Sequence, residues 1–350
     1  MDINLFDYDF PEELIAQYPT RERDESRLLV LDRATGGMTI HPFREVTRFV
    51  DSGDAFVVND TRVFKARLLG HRATGAEVEV FLVRRSNEVS EADCVWEALA
   101  QPSRRLKEGE RILFSGSGQL SLTLCDNRGD GRWLVRFDSE RDRLEIIEKY
   151  GHIPLPQYIR RPDTEVDISR YQTIFARQDK TGAVAAPTAG FHFTPEILAD
   201  LEAKGVNRVE LTLHVGPGTF KPVMTDNVED HFVDPEIAML SPDAASTLNR
   251  TRDAGGRIVA VGTTSVRTLE SAPISRGRVE RFSGEVDLYI RPGYEFRLVD
   301  RLLTNFHLPK SSLLILVSAF AGRELILEAY RKAIAEKFRF YSYGDAMLIL

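Results

Sequence analysis

Six short stretches carry the residues whose types and spacing could do chemistry. Ala185-Ala186-Pro187-Thr188-Ala189-Gly190-Phe191-His192-Phe193-Thr194 sets small residues beside a histidine. Thr188 and Gly190 belong to a run whose backbone can approach a ligand closely, and His192 can exchange a proton near neutral pH. A tight loop with His192 bonded to a carbonyl explains the same residues. Leu211-Thr212-Leu213-His214-Val215-Gly216-Pro217-Gly218-Thr219-Phe220 runs a strand pattern into a Gly-Pro-Gly turn. Ligands bind at strand ends in open α/β sheets, which makes His214, Gly216 and Gly218 candidates. A core histidine and a plain turn are the alternative. The run is no dinucleotide fingerprint, since Lys221 stands where a third glycine would be.

The third stretch, Ile258-Val259-Ala260-Val261-Gly262-Thr263-Thr264-Ser265-Val266-Arg267, passes from a buried strand through glycine into a helix. Free amides at a helix N-terminus attract anions, and the hydroxyls of Thr263, Thr264 and Ser265 add donors. Arg267 could complete a carboxylate or phosphate clamp. Glu270 could take an amine or pair with Arg267. Ordinary capping is the simpler account. Thr304-Asn305-Phe306-His307-Leu308-Pro309-Lys310-Ser311-Ser312 reads as a polar loop before an apolar helix, where Asn305 and His307 offer hydrogen bonds to a base or ribose, or simply form the helix entry. Asn59-Asp60-Thr61-Arg62 puts a carboxylate beside a cation, where a salt bridge is the usual outcome. Tyr341-Ser342-Tyr343-Gly344-Asp345-Ala346 reads alone as a surface turn with an exposed aromatic pair.

The elements around these residues change character along the chain. Pro11 to Ile15 reads as a helix start, and Arg27 to Asp32 and Ala55 to Asn59 read as buried strands. From about Gly70 to Asp138, alternating runs such as Glu77 to Val83, Leu120 to Leu124 and Trp133 to Phe137 are separated by Gly-rich turns. That pattern predicts a small antiparallel β-barrel. Beyond it, Glu140 to Tyr150 is helical, then strands and helices alternate. Thr194-Pro195-Glu196 and Ser241-Pro242-Asp243 are helix starts with a hydroxyl cap and proline in the first turn. Val206 to Val215 and Arg257 to Val261 are expected strands; Thr263 to Ser271, Ser311 to Ala321 and Arg323 to Lys337 are expected helices. The expected fold is a layered α/β domain, residues 1–69 and 139–350, with a barrel inserted at 70–138.

Composition bounds the partners. The 350 residues suggest two or three domains at roughly 100–200 residues each. A net charge of −7 excludes a wholly basic coat but permits a local basic patch. Arg84-Arg85, Arg104-Arg105 with Lys107, and Arg160-Arg161 are candidates, with Tyr158 available for stacking. Solvated surface charge is the plainer reading of any one pair. Two cysteines cannot build a disulfide framework, and no Cys-x-x-Cys, cysteine triplet or Walker loop is present. No metal site is expected, so chemistry is metal-free or uses a metal brought by the substrate. The acidic N-terminus is no secretory or transit signal, and the most apolar segment, Leu313 to Ala321, falls short of the ~20 residues that span a bilayer. A cytoplasmic, non-membrane monomer is expected.

Taken together, Asn-Asp-Thr-Arg-Val from Asn59, the Ala-Pro-Thr-Ala-Gly-Phe-His-Phe run, His-Val-Gly-Pro-Gly-Thr-Phe, Val-Gly-Thr-Thr-Ser-Val-Arg and Thr-Asn-Phe-His-Leu-Pro-Lys-Ser-Ser resemble the S-adenosylmethionine:tRNA ribosyltransferase-isomerase family of queuosine biosynthesis. The opening, with Asp9-Phe10-Pro11 and Arg27-Leu28-Leu29, and the ending from Tyr341 to Met347 match as well, so the likeness spans nearly the whole chain. It implies an α/β domain with a barrel insertion. It also implies transfer of the ribosyl part of S-adenosylmethionine to 7-aminomethyl-7-deazaguanine at the tRNA wobble position, with isomerisation to epoxyqueuosine and release of adenine and methionine. S-adenosylmethionine would be a co-substrate, with no permanently bound cofactor.

Such a reaction needs a base for the acidic proton beside the sulfonium, a clamp for the methionyl group and a partner for the tRNA amine. Under the resemblance, His192 and His214 are base and acid candidates. The clamp would come from the Gly262 to Ser265 helix entry with Arg267, and the amine partner from Asp60, Glu270 or Asp345. Thr188, Gly190, Gly216, Gly218 and Glu270 join the expected cofactor-binding set; Asn305, His307, Tyr343, Asp345, Arg160 and Arg161 form the expected tRNA-binding set. Two rivals remain: an ordinary methyltransferase, which would release S-adenosylhomocysteine, and a non-catalytic RNA-binding protein that reads RNA with its barrel.

Overall fold

The computed structural model describes residues 1–86, 88, 94–114, 119–220 and 222–350, so Lys221 lies outside the described residues. Apolar residues alternate along its central strands and supply two cores. Leu29, Leu31, Val57, Val209, Ile258, Ala260 and Leu302 face one way, against the helices Pro242–Asp253, Thr263–Ser271, Ser312–Ala321 and Arg323–Ala335. Leu28, Val30, Phe56, Val58, Val259, Val261 and Leu303 face the other way, against Phe43, Phe193 and the Pro195–Ala203 helix. A strand's side chains alternate between faces, so this period of two requires a sheet covered on both sides.

That sheet has nine strands. Its order is Phe282–Val286, Glu236–Leu240, Asn207–Leu213, Ala55–Asn59, Ile258–Val261, Arg301–Asn305, Ala346–Ile349, Arg27–Leu31 and Met38–Pro42. Asn207–Leu213, Ala55–Asn59, Ile258–Val261 and Arg301–Asn305 are mutually parallel, so their carboxyl ends share one edge. The barrel is separate. Arg67–His71, Glu77–Arg85, Val95–Gln101, Arg132–Phe137, Ser121–Gly129 and Arg111–Leu113 pair antiparallel in that order. His71 opposite Leu113 closes the ring. Gly151–His152 attaches outside it, on Arg67–His71. The layered α/β domain with an inserted antiparallel barrel is therefore the observed fold.

The caps explain where helices begin. Thr194, Ser241, Ser311 and Ser139 each accept a backbone N–H from the first turn of their helix. Three expectations need correction. Pro11 to Ile15 forms only a short 3₁₀ turn at Glu12–Leu14. Thr304 and Asn305 end the strand Arg301–Asn305 instead of starting a loop. Tyr341 and Tyr343 are buried, at 3% and 4% exposure, because their rings pack in the core. Among the described residues no helix is long and apolar enough to cross a membrane.

Candidate active site

The carboxyl edge of the parallel strands gathers four of the six stretches. A narrow cleft is lined by Pro187, Thr188 and Ala189, by Gly262, Thr263 and Thr264, by Asn305 and His307, and by Tyr341 and Ser342. Its cavity is about 50 Å³, room for water but far below the ~300–1,000 Å³ of a drug-sized ligand pocket. Gly262 is required by backbone geometry: its φ is +88°, a region that costs a side chain dearly. No side chain caps the helix that follows. Among the described residues nothing accepts the N–H groups of Thr263 or Thr264, so two free donors sit at the positive end of a helix dipole, with both threonines on the cleft wall. Tyr341, at φ +69°, is a bulky residue in the left-handed region on the same wall.

Polar floor residues are held firmly. Asn305 donates to Nε2 of His192 at 3.3 Å and to the Tyr341 carbonyl at 3.2 Å, and accepts the Thr188 hydroxyl at 3.1 Å. His307 contacts Thr304 through Nε2 at 2.8 Å. Burial pushes the His307 imidazole down to about 3. His192 lies behind the cleft, not on its wall. Ser26 Oγ is 2.7 Å from its Nδ1, Phe43 packs on the ring, and burial, helped by Arg23 and Arg339, lowers it to about 3.

A second, roomier cleft of about 840 Å³ separates the sheet from the barrel. His214, Gly216 and Gly218 line one side, and Arg84, Arg85, Trp96 and Arg132 the other. Val215 lines both clefts, so they flank that one residue. Burial, with Lys180 nearby, lowers the pKa of His214. Thr61 Oγ1 lies 2.8 Å from Nδ1 of His214 and 3.5 Å from the Lys180 carbonyl. A hydroxyl that donates to the carbonyl must accept from Nδ1–H, which leaves Nε2 as the basic nitrogen; this tautomer is assigned from the partners. The arginines opposite are largely neutralised, Arg84 by Glu97 and Glu285, Arg85 by Glu140 and Arg132 by Asp234.

The remaining expected site residues line neither cleft. Asp60 faces a different depression with Arg177 and Lys180. It accepts the Thr212 hydroxyl at 2.7 Å instead of pairing with Arg62, and burial raises its pKa despite that bond. Gly190 packs on Thr173, where a Cβ would come within 2.7 Å. Ser265 bonds the Val261 carbonyl. Glu270 accepts the backbone N–H groups of Arg297, Leu298 and Val299. Arg267 does not pair with Glu270: Glu236, from a strand 31 residues earlier, takes its guanidinium. Asp345 accepts the N–H groups of Arg27 and Arg339. Arg161 forks onto Asp167, which also accepts the Tyr343 hydroxyl at 2.7 Å. Burial opposes the Asp167 charge, yet these bonds win and lower it to about 2. Arg160 is exposed beside Glu12. Sequence reading passed over Glu236; its one signal is an acid opening the apolar run Glu236-Ile237-Ala238-Met239-Leu240.

A covered mixed sheet with four parallel strands at its centre and polar loops at their carboxyl edge, facing an inserted barrel, defines an α/β enzyme architecture. The family described as "Queuosine biosynthesis protein" matches residues 3–349, and the chain belongs to that family. Similar curated proteins carry the name S-adenosylmethionine:tRNA ribosyltransferase-isomerase. The one from Syntrophotalea carbinolica is 51% identical over 100% of both chains. That from Syntrophomonas wolfei is 47% identical over 99% of this chain and 97% of its own. A crystal structure of S-adenosylmethionine tRNA ribosyltransferase from Thermotoga maritima shares 36% identity with a TM-score of 0.55, covering 99% of this chain and 100% of that one.

Proposed function

We propose that the chain transfers and isomerises the ribosyl moiety of S-adenosylmethionine onto 7-aminomethyl-7-deazaguanine at the tRNA wobble position. The products are epoxyqueuosine-tRNA, adenine and methionine. The observation that carries this reading is that the two clefts adjoin, with Val215 in the wall of both. One is small and offers helix N-terminal donors; the other is large enough for a nucleoside and a base. The methionyl carboxylate sits at the N–H groups of Thr263 and Thr264, flanked by Thr188 and Asn305. At about 50 Å³ this cleft accepts only that end of the molecule unless its walls part. The ribosyl and adenine portions, and the incoming tRNA base, occupy the inter-domain cleft.

His214 is the base for the proton beside the sulfonium. Its lowered pKa keeps Nε2 unprotonated at pH 7. His192, engaged at both ring nitrogens, holds Asn305 in place. Exposed Arg104, Arg105 and Lys107 on the barrel provide cationic contacts for tRNA phosphates. The test is incubation with S-adenosylmethionine and tRNA bearing the aminomethyl-deazaguanine base, read by mass spectrometry. Epoxyqueuosine with free adenine and methionine supports the reading. S-adenosylhomocysteine, or tRNA binding without product, overturns it.

A further inference from the structure

One buried ion pair links Glu236, on the wall of the large cleft, to Arg267, in the helix that opens on the small one. Glu236 and Arg267 are each 5% exposed. Glu236 Oε2 pairs with Arg267 Nη1, and Oε1 accepts the Gly216 backbone N–H at 2.7 Å. Arg267 also donates from Nε to the carbonyl of Leu288, at 3.1 Å, and from Nη2 to that of Val286, at 3.2 Å. One carboxylate therefore ties three parts together. Gly216 follows His214 by two residues on the wall of the large cleft. Arg267 lies one turn into the helix whose first residues line the small cleft. Val286 ends an edge strand of the sheet.

Desolvating two charges consumes most of their mutual attraction, so a buried pair adds little net stability. What it supplies here is a fixed separation between the His214 loop and the Thr263 helix N-terminus. We propose that Glu236 is a positioning residue for the transfer reaction, acting through Gly216 and Arg267 to hold the two clefts in register. This inference rests on the function proposed above, in which the two clefts hold parts of one substrate. Misplacement by about 1 Å can cost roughly 100-fold in rate, so loosening this tie lowers turnover; removing one partner also lowers stability, because the other charge is left buried and unpaired.

The test uses single-turnover and steady-state kinetics of Glu236→Gln and Arg267→Lys in the full chain. Glu236→Gln keeps an acceptor for Gly216 but offers Arg267 no anion; Arg267→Lys keeps the charge but loses the fork to the carbonyls. The expected result for both is a kcat about 100-fold lower, with thermal unfolding still above assay temperature and a pH profile of unchanged shape. Wild-type kcat in both variants overturns the proposal. So does a changed pH profile in Glu236→Gln, which would make Glu236 a proton-transfer group. If one variant fails to fold, the other decides; if neither folds, the pair serves the fold alone and the proposal falls. Absence of product from the wild-type enzyme is a separate outcome, and it overturns the proposed function before any variant is read.

Discussion

The Thr61 hydroxyl lies 2.8 Å from Nδ1 of His214 and orients an imidazole that burial keeps neutral. A neutral, oriented histidine on the wall of a large cleft is equipped to take a proton. His214→Gln is expected to lower the single-turnover rate by about 10²- to 10⁴-fold, the usual range for removing a general base. The sign of the pH effect follows from the lowered pKa. The base form persists below the ordinary value of 6.5, so the wild-type rate stays flat through neutral pH and falls only in more acidic buffer. A rate that instead climbs steeply from pH 6 to pH 8 would place the essential base elsewhere.

Gly182 makes the same ring position testable without touching a polar group. A Cβ there would lie 3.0 Å from both Cε1 and Nδ1 of His214. The Gly182 backbone is outside the positive-φ region, so alanine adds contact without conformational strain. Gly182→Ala is expected to shift the ring by a few tenths of an ångström and to lower turnover roughly tenfold, with stability within about 1 kcal/mol of wild type. Denaturant unfolding and kcat on the same preparation check both halves.

His214 also marks how much of the site is legible in the sequence. Cleft-forming stretches were visible because glycine, hydroxyls and histidines cluster at the ends of apolar runs. Helix starts were visible because Thr194 and Ser241 precede proline. Barrel strands were visible because Glu77 to Val83 alternates. The strand Ala346–Ile349 was hidden behind Tyr341 to Asp345. Their polar groups suggested a surface, yet their partners, Asp167 for Tyr343 and Arg27 for Asp345, come from distant segments. Glu236 was hidden for the same reason, since a buried acid is legible only with Arg267 and Gly216 beside it. His192 and His214 were indistinguishable in sequence, and only packing separates a ring bonded on both sides from one on a cleft wall.

Buried neutral histidines give the fold an acid sensitivity of known sign. Burial lowers His192 and His307 to about 3, whereas an unfolded histidine titrates near 6.5. Between those values the unfolded chain binds more protons, so stability is full above pH 6.5 and falls as pH drops toward 3. His192→Gln and His307→Gln should each flatten that slope relative to wild type, while costing about 1–3 kcal/mol at pH 7 through unpaired partners. Urea unfolding of the three proteins at pH 7.5, 5.5 and 4.5 checks this. A wild-type slope unchanged in both variants would show that the histidines do not carry it.

Anion recognition at the Thr263–Ser271 helix has its own signature, because the donors there are backbone groups. Replacing Thr263 by alanine leaves its N–H in place, so affinity for S-adenosylmethionine should change little. Proline is tolerated at the first position of a helix, so Thr263→Pro should fold while lacking that donor. For wild type, decarboxylated S-adenosylmethionine should bind about 10- to 100-fold more weakly than the intact molecule, matching ~1.5–3 kcal/mol for hydrogen bonds to a charged group. In Thr263→Pro most of that discrimination should disappear, through weaker binding of the intact molecule alone. Titration calorimetry with both ligands on all three proteins separates the possibilities. Equal discrimination by wild type and Thr263→Pro would move the carboxylate away from this helix, and no discrimination in wild type would leave the narrow cleft without its assigned anion.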